Sequence, residues 1–182
     1  MPPDETSRTV RSEIREIVRV LLISLAVVIP IRLFVAQPFI VRGASMEPTY
    51  HDGEYLIVDE ISLRFSDLKR GEVIIFRYPN DPKSFFIKRI VGLPQDTVTI
   101  RDGHVYLASP EGELTPIDES YIGSSVFTLP DKTITLGPDE YFVLGDNRPD
   151  SSDSRVWGPL EEHYIVGRTF LRLWPIHKFN FL

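Results

Sequence analysis

No cysteine occurs anywhere in the 182 residues. That absence removes disulfides, thiolate metal sites and cysteine nucleophiles together, so any nucleophile must be an oxygen or a nitrogen. It leaves the compartment open, because a protein without disulfides can work on either side of a membrane. Positive charge is also short. Lys and Arg number 20 against 26 Asp and Glu, a net charge of −6, and no basic stripe runs through the body of the chain, which argues against a nucleic-acid partner. Only four histidines are present, His51, His104, His163 and His177. None is embedded in a motif, which leaves a Ser–His–Asp triad without support. Internal repeats and low-complexity tracts are missing as well. What remains, 42% hydrophobic and 25% charged residues, is the ordinary mixture of one globular unit with a short appendage.

A long apolar run is lacking too. Val20 to Ile31 is uncharged, whereas spanning about 30 Å of hydrocarbon takes roughly 20 apolar residues. Arg19 and Arg32 flank this run, where basic side chains reach headgroups, and Leu33-Phe34-Val35-Ala36 continues the apolar character. The sequence therefore predicts a spanning helix near Ile17–Phe34. A removable signal peptide is the alternative, but cleavage after Ala36 would put bulky Phe34 at the third position back, where a small residue is wanted. Arg8, Arg11 and Arg15 ahead of the helix favour a cytoplasmic N-terminus. The expected organisation is a cytoplasmic lead at 1–16, an anchor at 17–36 and an extracytoplasmic domain at 37–182, in the cell membrane.

Past Pro38, short β-branched and aromatic runs alternate with Gly, Pro, Asp and Asn, the pattern of a mainly β, antiparallel domain. Strands are expected at Phe39–Arg42, Tyr55–Glu60, Val73–Tyr78, Phe85–Val91, Thr97–Arg101, His104–Leu107, Thr133–Leu136, Tyr141–Asp146 and Ile165–Trp174. Asp102-Gly103 marks a two-residue hairpin, since a type I′ turn needs positive φ at both central positions. Ala108 to Asp131 reads as an excursion between core strands, within a variable inserted region around 97–135.

Three polar clusters exceed what a plain β-domain requires. The first is Gly43-Ala44-Ser45-Met46-Glu47-Pro48-Thr49, where small residues and a proline turn leave the Ser45 hydroxyl exposed. It is not a lipase elbow, because Glu47 stands where the second glycine belongs. The second is Phe85-Phe86-Ile87-Lys88-Arg89-Ile90-Val91-Gly92-Leu93-Pro94. In a strand, Lys88 shares a face with Phe86 and Ile90, and an ammonium among apolar side chains loses hydration and becomes less basic. A water-exposed edge lysine is the plainer reading of that segment taken alone. The third, Gly145 to Arg155, is dense in Asp, Ser and Arg. Calcium binding is disfavoured there by Arg148 and Arg155 among the would-be ligands. A hydrogen-bonded bracket, in which Asp153 pairs with Arg155 or Arg89, is the better account.

Together these segments resemble the bacterial type I signal peptidases, membrane-anchored serine/lysine endopeptidases. Ser45-Met46 with Pro48-Thr49 is similar to the nucleophile box, Arg70-Gly71-Glu72-Val73-Ile74 to the next, Lys88 to Pro94 to the lysine box, and Gly145-Asp146-Asn147 through Arg155 to the last. The resemblance implies a β catalytic fold of the kind shared with self-cleaving LexA-like repressors. It makes Ser45 the nucleophile, Lys88 the general base, Ser151 a hydroxyl that orients the lysine, and Asp146, Arg89, Asp153 and Arg155 a supporting shell. It implies substrate pockets walled by Phe39, Val41 and Ile87, secretory preproteins cut after Ala-X-Ala-type sites, the lipid bilayer as surroundings, and no metal or organic cofactor. Two positions depart from the pattern. Gly43 stands where some members carry a serine that helps hold the oxyanion, and Gln95 stands where the lysine box commonly has glycine. Two rival readings remain at this stage. A self-cleaving repressor would bring a DNA-binding module, where this chain has a greasy helix. The other is a membrane-tethered, noncatalytic β-domain that binds peptides or protein partners.

Overall fold

The computed structural model describes residues 5–30 and 37–182, which fall into two compact units, one ending at Gln37 and one running from Pro38 to Leu182. In the first, α1 (Glu5–Pro30) is a single helix. No Gly or Pro interrupts it before Pro30, and its Leu, Glu and Arg content favours the helical state. Among the described residues no helix is long and apolar enough to cross a membrane. The uncharged part of α1 begins only at Val20, and at 1.5 Å per residue it rises about 16 Å, roughly half a bilayer core. The expected span at 17–36 is thus not completed within α1, and residues 31–36 lie outside the described residues.

The second unit is antiparallel β. Its strands are β1 (Gln37–Ile40), β2 (Tyr55–Asp59), β3 (Val73–Tyr78), β4 (Asp81–Gly92), β5 (Thr97–Arg101), β6 (His104–Ala108), β7 (Leu114–Pro116), β8 (Lys132–Thr135), β9 (Glu140–Leu144), β10 (Leu160–Glu161), β11 (Ile165–Trp174) and β12 (Asn180–Phe181). A large sheet runs β1-β2-β11-β3-β4-β9-β10, with β12 also on β11, and a small sheet runs β7-β6-β5-β8. Pairing of Ile74 with Lys88 and of Arg89 with Leu144 places β4 between β3 and β9. The spans of β3, β5 and β11 agree with the sequence reading. β4 starts four residues early, because the turn at Pro79-Asn80 lets polar Asp81–Ser84 continue it. β1 is displaced two residues towards the N-terminus, and β9 stops at Leu144, before Gly145 and Asp146. The Asp102-Gly103 turn has φ of 51° and 81°, as a type I′ turn requires.

Three apolar clusters hold the sheets, and β4 supplies all three. Ile87 joins Val41, Met46, Tyr50, Leu56 and Val58 on one face. Ile90 joins Ile74, Phe76, Val143 and Leu160 on the other. Val91, with Phe142 and Leu144, meets Val98, Ile100, Val105 and Leu136 of the small-sheet region. Gly92 marks this last junction: a Cβ there would lie 2.5 Å from Val98 Cγ2 and 2.9 Å from Phe142 Cβ. The two tryptophans separate. Trp157 packs into the core against Phe76, with ring centroids 5.8 Å apart, whereas Trp174, Phe179 and Phe181 are exposed.

Candidate active site

Ser45 sits in the turn that connects β1 to β2. Val41 is buried beneath it and donates its N–H to Glu54 O. Gly43 adopts φ of +82°, conformationally easy for glycine, and donates its N–H to Asp52 Oδ1. Met46 is buried and accepts from Tyr50 N, so the turn is pinned from below while Ser45 stays partly exposed. From the far end of the chain, Asn147 donates its backbone N–H to Ser45 O at 3.1 Å and its side-chain Nδ2 to Ala44 O at 3.1 Å.

Lys88 projects from β4 to this turn. Its Nζ lies 2.7 Å from Ser45 Oγ and donates to the carbonyl of Ile87 at 2.9 Å. The side chain is only 3% exposed, with Nζ 5.5 Å from the centre of the Phe86 ring. Burial pulls the amine down from the usual 10.5 to about 8, against the opposing pull of Asp153 and Asp146 and with help from Arg155. Dehydration destabilises the ammonium, and the two carboxylates restore only part of that loss. The edge-strand alternative is therefore excluded, since β4 is interior to the sheet.

Behind the pair stands a saturated polar bracket. Arg89 donates to both oxygens of Asp146, Nε to Oδ1 at 2.8 Å and Nη2 to Oδ2 at 2.6 Å, and donates Nη1 to Gly71 O at 2.7 Å. Burial opposes the guanidinium's charge, but the Asp146 hydrogen bond and charge outweigh it and raise its pKa. Thr49 completes this unit, its hydroxyl donating to Asp146 Oδ2 at 2.5 Å. Asp153 pairs with Arg155, not Arg89: Arg155 Nε reaches Oδ1 and Nη2 reaches Oδ2, each at 2.8 Å. It also accepts from Gly145 N at 3.1 Å and caps the single-turn helix α2 (Ser154–Trp157) through Arg155 N. Both carboxylates are thus committed to arginines. Ser151 differs from its expected part. Its Oγ is buried without a hydrogen-bond partner, against Gly145, where a Cβ would come within 2.1 Å of it and within 2.5 Å of Ser45 O.

A groove of about 720 Å³ opens on the Ser45 hydroxyl and Lys88. Phe39, Val41 and Ile87 all line it, with Phe85, Phe86 and Ser152. Val41 and Ile87 are at the same time buried members of the core, so their groove-facing surfaces are held rigidly. None of the four histidines lines this groove or hydrogen-bonds to Ser45.

Sequence reasoning left several members of the bracket without a role. Thr49, Gly71, Asn147 and Arg148 sit inside the quoted motifs, and only their partners identify them. Arg148 is 1% exposed and donates Nε to Gly145 O at 3.0 Å. The second motif acts through Arg70, which donates to Val91 O and, at 2.9 Å, to Asp96 Oδ2, clasping the turn after β4. In that turn Gln95 takes φ of 69°, the left-handed conformation that glycine adopts at no cost.

A sequence model of the family described as signal peptidase, peptidase S26, matches residues 14–174. A probable signal peptidase I-2 of Synechocystis sp. is 37% identical over 173 residues, covering 92% of this chain and 76% of the relative. The signal peptidase I of Leptolyngbya laminosa is 34% identical over 92% of this chain and 83% of its own length. That of Bacillus amyloliquefaciens is 31% identical over 98% and 97%. A crystal structure of a signal peptidase I from Enterococcus faecalis aligns with 57% of this chain and 97% of its own at 29% identity and a TM-score of 0.46. With a family model matched over most of its length and relatives above 30% identity along nearly all of it, the chain belongs to the signal peptidase family, peptidase S26, a family of hydrolases that cut peptide bonds.

Proposed function

We propose that this chain is a membrane-bound serine endopeptidase that removes N-terminal signal peptides from exported preproteins, with Ser45 as nucleophile and Lys88 as general base. The observation that carries this is the 2.7 Å approach of a buried, weakly basic Lys88 Nζ to Ser45 Oγ. Neutral Lys88 takes the hydroxyl proton as Oγ attacks the scissile carbonyl, and the lysinium so formed returns it to the leaving amine. An ester on Ser45 results. A water deprotonated by the same amine hydrolyses it, so each proton is handled by this chain's own groups.

Support for the oxyanion comes from the turn. Asn147 holds the Ala44 carbonyl, and in a trans peptide the following N–H points the opposite way, so the Ser45 N–H is turned from the bracket and has no hydrogen-bond partner among the described residues. It is the donor to expect where Gly43 brings no hydroxyl. Asp146, Arg89, Asp153 and Arg155 orient the site, and Ser151, whose buried hydroxyl has no hydrogen-bond partner among the described residues, is the hydroxyl assigned to orient the amine. The apolar groove at Phe39, Val41 and Ile87 suits small side chains before the cut, in a substrate lying extended between β1 and β4.

The exposed apolar side chains of α1 from Ile17 to Val28, and exposed Trp174, Phe179 and Phe181, favour a bilayer as the surroundings. In this reading residues 17–36 anchor the chain, the lead at 1–16 is cytoplasmic, and 37–182 works on the outer face of the cell membrane. The deciding experiment compares wild type with Lys88→Met on a preprotein in detergent. Processing falls by at least a thousandfold in the variant, and equal processing would reject the dyad.

A further inference from the structure

The excursion between β7 and β8 reads in the sequence as a variable surface loop, yet it is fastened to the site at each arginine of the bracket. Arg89 lies under the Tyr121 ring, its guanidinium carbon 4.0 Å from the ring centre. Arg148 pairs with Glu119 at 2.5 Å, donates to the Thr128 hydroxyl and reaches Tyr121 Oη at 3.4 Å. Arg155 donates Nη1 to Leu129 O at 2.9 Å. Thr128 itself is fully buried, with its N–H on Gly103 O at 2.8 Å, so the excursion is moored to the small-sheet hairpin as well.

From this we infer that residues 119–129 form a strap in which Tyr121 is a positioning residue, holding the Arg89–Asp146 pair so that Lys88 is aimed at Ser45. The inference rests on the Ser45–Lys88 reading above. Its physical basis is the shape of the guanidinium. The edge of Arg89 is filled by Asp146, Gly71 O and Thr49, while the face covered by Tyr121 would otherwise meet water. An aromatic face over a buried cation attracts it and keeps the local dielectric low, which tightens the ion pair beside it. Arg89 and Lys88 leave β4 on opposite faces. Fixing Arg89 on one side therefore fixes the backbone from which the amine projects on the other. A strap that served folding alone would have no need to present a ring to the cation adjoining the base.

The test uses the full-length chain in detergent micelles with a preprotein substrate, kcat and KM being measured on protein shown to be folded at the assay temperature. In Tyr121→Leu kcat falls about ten- to a hundredfold with KM within about twofold, because misaligned groups lose the chemical step and not the groove. Tyr121→Phe, which keeps the ring, recovers most of that loss. Glu119→Gln leaves the buried Arg148 charge without its carboxylate, loosens the strap there and lowers kcat about tenfold in protein that is still folded. Unchanged kcat in folded Tyr121→Leu and Glu119→Gln would overturn the inference, as would a loss confined to KM or a Tyr121→Phe as impaired as Tyr121→Leu. Ser45→Ala in the same series separates the two readings. If it is inactive while Tyr121→Leu is not, only the strap's role fails. If it retains activity, the dyad itself fails.

Discussion

As the proposed general base Lys88 has to be neutral to work, and burial of its amine makes that requirement measurable. Its pKa of about 8 means that the rate of the chemical step rises with pH below that value, with the acid limb of kcat/KM centred near pH 8. The same shift acts on the fold with a definite sign. Between about pH 8 and 10.5 the unfolded chain carries a proton on this amine that the folded chain lacks, so stability increases with pH across that window. Below it, the buried amine costs on the order of 3 kcal/mol. Lys88→Met should therefore abolish activity and yet raise stability at pH 7 by about 1–3 kcal/mol, and urea titrations of both proteins at pH 7 and pH 10 check this. An unaltered midpoint at pH 7 would mean that the amine is hydrated. At this scale the sequence was informative about identity and left the pairing of Asp153 open between Arg155 and Arg89. Lys88 between Phe86 and Ile90 allows a dehydrated amine, but that segment alone reads more plainly as an exposed edge lysine, and only the interior place of β4 decides between them. That Asp153 takes Arg155 while Asp146 takes Arg89 likewise depends on contacts between residues up to 57 positions apart.

Among the elements, β4 carries the most. It pairs with β3 and β9, contributes to all three apolar clusters, and presents Lys88 and Arg89 in succession. Its end at Gly92 is sterically closed, since a methyl group would collide with Val98 Cγ2, Leu136 Cδ1 and Phe142 Cβ, the last of which is fixed to its strand's backbone and cannot step aside. Gly92→Ala should lose about 2–4 kcal/mol of stability by overpacking, read as a fall in the thermal midpoint. A midpoint within one degree of wild type would show that the two sheets can part there. β5, with its alternation, and β3, with its unbroken run of β-branched and aromatic residues, were legible from the sequence pattern. β7, β10 and β12 were not, being two or three residues long and held by the register of their neighbours. The excursion's Pro, Glu and Ser content describes a loop well enough, while its attachments at Tyr121 and Thr128 leave no local mark.

For the molecule as a whole, the chain divides at Gln37, and the β unit holds all three apolar clusters, so it is expected to fold by itself. Removal of residues 1–36 should leave a cooperative unfolding transition and near-normal cleavage of short soluble peptides. Cleavage of a bilayer-inserted preprotein should fall about a hundredfold, because enzyme and substrate no longer share a surface. Equal loss on both substrates would assign α1 a part in the fold. The antiparallel β class and the four motifs were legible before any coordinates; the order of the strands was not, because nothing in the composition of β11 says where it inserts. That order has a temporal meaning. β11, residues Ile165–Trp174, lies between β2 and β3, so the half of the sheet that follows Ser45 and the half that holds Lys88 are joined by a strand made after both. A nascent chain thus carries Ser45 and Lys88 before the strand that ties their two halves of the sheet together has been made.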